Sequence, residues 1–175
     1  MAETIEQILT GGHPNSLGRT IEVVELVLVD PDRFEELFNC FRSSDEVVRL
    51  RTSNAIKRVE SERHDLLVPY VERLLNEISE IDQASTQWTI AQLFDRLSGD
   101  LSDAQRERAL AIMKRNLAEH DDWIVLNTTT EILSNWAADD EALKSWLKPH
   151  LERLSSDSRK SVANRAKKKL KLFGF

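Results

Sequence analysis

The side chains capable of chemistry are few and scattered. The run "HDD" at 120–122 sets an imidazole beside two carboxylates, donors that suit a divalent cation. It precedes an apolar helical pattern, however, where aspartates cap free amides, and His13, His64 and His150 fall in other loops and helices. A solvated turn is expected there and no metal site. Cys40 is alone, so neither a disulfide nor a cysteine-based zinc site can form within the chain. It lies in a helix rich in phenylalanine, where an inert buried thiol is expected. "LTGGHPNSLGR" holds three of the five glycines without the spacing of a phosphate-binding loop, and predicts a flexible connection before a helix beginning near Asn15. No serine sits in a nucleophile elbow. No catalytic residue, cofactor or metal is expected.

The elements that position these groups follow from composition and spacing. At 175 residues the chain is long enough for one domain with a real core, and 41% hydrophobic with 31% charged residues excludes a disordered chain. Five glycines and four prolines favour long helices over a turn-rich β protein. No apolar run approaches the roughly 20 residues that span a bilayer, and "MAETIEQILTGG" lacks a signal-peptide pattern, so a cytoplasmic protein is expected. The net charge of −6 is uneven. Residues 157–175 carry seven basic side chains and one acid, leaving −12 on the rest.

"DEVVRLRTSNAIKRV" contains a stripe of modest residues, Val48, Thr52, Ala55 and Val59, at offsets 0, +4, +7 and +11 on one helix face. The template recurs as Leu17, Ile21, Val24, Leu28; Thr86, Ile90, Leu93, Leu97; Val125, Thr129, Ile132, Trp136; and Val162, Ala166, Lys169, Phe173, where the lysine spoils one position. The copies start 31, 38, 39 and 37 residues apart, a period that signals stacked helical pairs. Small inward residues let neighbouring helices approach, while partner helices supply bulk through Phe34, Leu37, Phe38 and Phe41. Asp30, and Ser102 with Gln105, mark partner-helix starts. Asp45, Asp82, Asp121 and Asp157 lie at or near the second-helix starts. The prolines of "PYVERL" (69–74) and "PHLERL" (149–154) predict a kink or break in two partner helices.

These paired helices, with their acidic turn, "DEVVR" opening and first-helix proline, resemble HEAT repeats. The resemblance covers nearly the whole chain, as four full pairs and a shorter one from Glu3 to Val29. It implies an all-α fold, a right-handed α-α superhelix of about five pairs, as a single domain over 1–175 with a basic C-terminal capping helix. Arg49 matches the arginine common after the opening valine. Gln87, Leu126 and Ala163 replace it later, so a polar ladder between repeats is not expected beyond the second pair.

In such arrays the face opposite the stripe, at offsets +2, +6 and +9, lines the concave side. It comprises Arg19, Val23, Leu26; Leu50, Asn54, Lys57; Trp88, Gln92, Asp95; Asn127, Glu131, Ser134; and Asn164, Lys168, Lys171. Leu50, Asn54, Lys57, Trp88, Gln92, Asp95, Asn127, Glu131, Asn164 and Lys168 are the expected partner-binding residues. Trp88 either stands exposed at the centre as an anchor or folds into a groove between second helices. Trp136 and Trp146 are expected in packing roles, and Trp123 at a repeat junction. The basic end either caps the last repeat or docks on an acidic partner, nucleic acid or an anionic membrane. A non-enzymatic protein-binding scaffold is the expectation. The alternative that the resemblance supplies is an alkylpurine DNA glycosylase-like protein using Trp88 and Asp95. The −12 body offers little to DNA phosphates, so nucleic-acid binding is expected to be weak and confined to the basic end.

Overall fold

Thr4 and Ser102 each close a capping box, their hydroxyls accepting from the amides of Gln7 and Gln105, whose side chains return the bond. Such local signals punctuate a chain that a computed structural model describes over residues 3–175. Met1 and Ala2, part of the expected domain over 1–175, lie outside the described residues. These form ten α-helices and five short 3-10 turns with no strand, so the protein is all-α. The chain divides into two compact units, Met1–Thr89 and Ile90–Phe175.

The first unit contains α1 (Ile5–Leu9), α2 (Thr20–Val29), α3 (Phe34–Asn39), α4 (Glu46–Glu62) and α5 (Val71–Asn76). The unit boundary falls within α6 (Ala84–Arg96). The second unit continues through α7 (Asp103–Glu119), α8 (Trp123–Trp136), α9 (Glu141–Ser155) and α10 (Lys160–Phe173). Helices α4, α6, α8 and α10 begin 38, 39 and 37 residues apart, the period seen in the sequence. Val48, Thr52, Ala55 and Val59 are fully buried, as are Thr86, Ile90, Leu93 and Leu97. Phe34, Leu37, Phe38 and Phe41 supply the expected bulk, with Tyr70 stacked on Phe38 and the Arg73 guanidinium 4.6 Å above that ring.

Four expectations need correction. Helix α2 starts at Thr20 rather than near Asn15, because Gly18 adopts a left-handed φ of 52° that no helix continues. Its phase also differs: Leu17 and Ile21 are exposed, whereas Val23, assigned outward, is buried with Thr20, Val24 and Val27. "TIEVVELVLV" is apolar on more than one side, so its pattern leaves two azimuths open. Second, Pro69 falls in a 3-10 turn ahead of α5, but α9 is continuous through Pro149, so the break expected as one of two outcomes does not occur there. Its ring and the Ser145 carbonyl it leaves without an amide lie on the exposed side, where water can serve. Third, Asp122 rather than Asp121 caps α8, accepting from the amides of Ile124 and Val125, while Asp30 makes no side-chain cap. Fourth, Lys169 does not spoil its stripe: it is buried with its ammonium paired.

Polar links join residues one repeat apart. Arg49 donates to Gln83, 34 residues on, and the Gln83 amide returns to the Glu46 carbonyl. In the second unit Arg153 donates to the Leu117 carbonyl at 2.8 Å, and Arg159 reaches the Asp121 carbonyl. These two links use arginines on a partner helix and a loop, and Arg165 and Lys169 of α10 add others to Glu131, rather than the position of Arg49. A ladder based on that position alone therefore misses them.

Candidate functional site: a polar groove along α8

Helix α8 is approached from two sides, so its polar side chains are pulled inward. Asn127 is only 8% exposed and Ser134 is buried, although both lie on the face expected to point outward. Gln92 and Asp95 on α6, with Asn127 and Glu131 on α8, line one cleft of about 450 Å³. These are four of the ten expected contact residues. Of the others, Asn164 and Lys168 are exposed on α10, and Leu50, Asn54, Lys57 and Trp88 are half-buried in the first unit. Trp88 is therefore neither a free anchor nor a core residue.

Seven of the groove's lining residues lie outside the +2, +6 and +9 offsets, Trp123, Asn135 and Arg165 among them. Trp123 is 50% exposed at the rim, Asn135 lies exposed one turn beyond Glu131 on the same face, and Arg165 approaches from α10. Trp123 was legible as an aromatic opening a helix, one turn before Asn127 on the same face, but outside the three offsets.

Glu131 is the electrostatic centre. One oxygen accepts from Lys169 Nζ at 2.6 Å, the other from Arg165 Nη1 at 2.7 Å. Burial pushes this carboxyl up, but the hydrogen bonds and charges of Lys169 and Arg165 outweigh it and hold the group below its usual range. It is thus an ionised acceptor, not a proton donor at neutral pH. Asp95 accepts from Trp136 Nε1 at 2.8 Å, and the Arg106 guanidinium sits 4.0 Å over the same indole. Trp136 is consequently half-buried beside a second cleft rather than a core residue. Asn127 Nδ2 donates weakly to Ser161 at 3.3 Å, while its buried Oδ1 has no partner. Two carboxylates and two guanidiniums, Arg96 and Arg165, leave the lining near neutral. Amides, a hydroxyl and one exposed indole suit recognition by hydrogen bonds and stacking.

The other candidate groups fall outside the groove's chemistry. His120 Nδ1 accepts from the Asp122 amide at 3.0 Å, making a turn, and among the described residues no three metal-ligating side chains cluster. Cys40 is buried, and burial followed by the charges of Glu6 and Glu36 pushes its thiol up to about 12. A disulfide reagent at pH 8 should therefore modify Cys40 only after denaturant is added. Rapid labelling of the native protein would show that the 3-10 turn following α3 opens readily.

No protein-family model matches the chain, and no curated protein matches it.

Proposed function

We propose that this chain is a non-enzymatic interaction module, a short HEAT-like right-handed solenoid, that binds an extended segment of another protein along α8. The single observation that carries this is the convergence of Gln92, Asp95, Asn127 and Glu131 in one cleft beside the exposed ring of Trp123. The constant spacing of α4, α6, α8 and α10 supports the repeat architecture. An amide side chain carries both a donor and an acceptor and so matches a peptide group. A half-exposed indole offers apolar area that folding has not consumed. From Trp123 to Asn135 the helix runs about 18 Å, room for roughly five residues of extended chain.

The glycosylase alternative draws on Asp95 lying against an aromatic ring. That carboxylate already accepts the Trp136 indole N–H, and the groove lacks the surplus of cations that DNA phosphates require.

Panning a random peptide library on the protein tests the proposal. Selected peptides should bind the wild type and lose roughly 30-fold in affinity on Trp123→Ala, and a smaller factor on Asn135→Ala, with little change in melting temperature. Peptides insensitive to both substitutions would move the binding face elsewhere.

A further inference from the structure

The outer face of α10 is chemically unlike the rest of the molecule. No acidic residue occurs from Ser158 to Phe175. The two arginines of this stretch are engaged, Arg159 with Asp157 and Asp121, and Arg165 with Glu131. The lysines Lys167, Lys168 and Lys171 are exposed along one stripe, which ends in Leu172, 67% exposed, and Phe175, 47% exposed. Gly174, in the left-handed conformation with φ 74°, closes the helix: the Phe175 amide bonds to the Leu170 carbonyl and the Gly174 amide to that of Lys171. That cap holds the Phe175 ring 5.9 Å from Phe173 and within 5.1 Å of the exposed Lys148 ammonium of α9. Lys144 of α9 lies 6.0 Å from the Phe173 ring and is paired with Glu141.

We propose that this tip of α9 and α10 is a peripheral docking surface for anionic phospholipid. Lysine ammoniums that surround exposed apolar side chains match the order of a bilayer surface, with phosphates outside and hydrocarbon beneath. Nucleic acid offers phosphates but nothing for Leu172 and Phe175 to enter, and base recognition favours the forked donors of arginine, which here are taken. The attachment is surface-bound, since no helix among the described residues is long and apolar enough to cross a membrane.

Flotation of the full chain with vesicles tests this, using phosphatidylcholine alone or with about one part in three phosphatidylserine. The protein should float only with the anionic vesicles and be released at about 0.5 M salt, where charges are screened within a few Å. Replacing Lys167, Lys168 and Lys171 by Gln together should weaken binding about 100-fold. Leu172→Ser with Phe175→Ser should weaken it at least about 10-fold. All five side chains lie at the surface or helix end, so the melting curves should overlay. No binding to anionic vesicles at low salt would overturn the proposal. So would vesicle binding indifferent to the Leu172 and Phe175 substitutions, or tighter binding to duplex DNA that ignores the same pair.

Discussion

Replacing Arg51 by alanine will destabilise the first unit by about 3 kcal/mol or more, among the largest effects any single polar substitution in this protein should have. Arg51 lies in the middle of α4 and is 1% exposed, yet its guanidinium donates only to main-chain carbonyls: Leu9 at 2.6 Å, His13 at 3.1 Å, Ser16 at 3.3 Å, and Gly11. The planar fork therefore holds the glycine-rich loop between α1 and α2 in one shape. Alanine leaves a cavity and removes the donors that these carbonyls face. Lysine at this position keeps the charge but cannot span four acceptors, so Arg51→Lys should recover only part of the loss. Gly18→Ala provides an independent check. A Cβ there would lie 2.7 Å from Arg51 Cζ, at a φ of 52° that L-residues rarely adopt. It too should destabilise, by about 1–2 kcal/mol from the backbone alone. Urea unfolding measures both, and faster amide exchange in α1 should accompany them. If Arg51→Ala stays within about 0.5 kcal/mol of the wild type, the guanidinium does not hold the loop.

The second large effect belongs to the Glu131–Lys169 pair. Lys169 is buried, its side chain 6% exposed, and Glu131 is its partner at 2.6 Å, with 41% of the glutamate side chain open to solvent. Glu131→Ala strands a buried ammonium. The loss expected for a fully buried pair is about 3–5 kcal/mol, which water near Glu131 reduces to about 2–3 kcal/mol. Lys169→Met should be neutral or stabilising, because it restores an apolar residue to the stripe while Glu131 keeps Arg165. The double variant should recover most of the loss in Glu131→Ala, and denaturation of the four proteins closes the cycle. Additive effects would show that the two residues are not coupled. The pH dependence has a defined sign. The Glu131 carboxyl titrates below its usual range in the folded protein, so its contribution is complete above the unfolded glutamate pKa of about 4.3 and declines as pH falls through the lower folded value. Wild type and Glu131→Ala should therefore converge in stability under acid conditions.

Local sequence determined the helices and their period, because capping and apolar spacing act within a few residues of themselves. Ser102 with Gln105 closes its box, Asp45 caps α4, and the small stripe from Val48 to Val59 is buried as its spacing requires. Cys40 among phenylalanines was equally legible. Azimuth was not, wherever a helix carries apolar residues on more than one side. For α2 and α8 the neighbours on both flanks decide which residues turn inward, and they place Val23, Asn127 and Ser134 there. The polar contacts were hidden for a related reason. Arg51 meets carbonyls 35 to 42 residues away, and Glu131 meets cations 34 and 38 residues away. A long charged side chain reads as a surface residue from its own neighbourhood. Only packing brings these chain segments together, burying Arg51 and Lys169 beside the acceptors that make their burial tolerable.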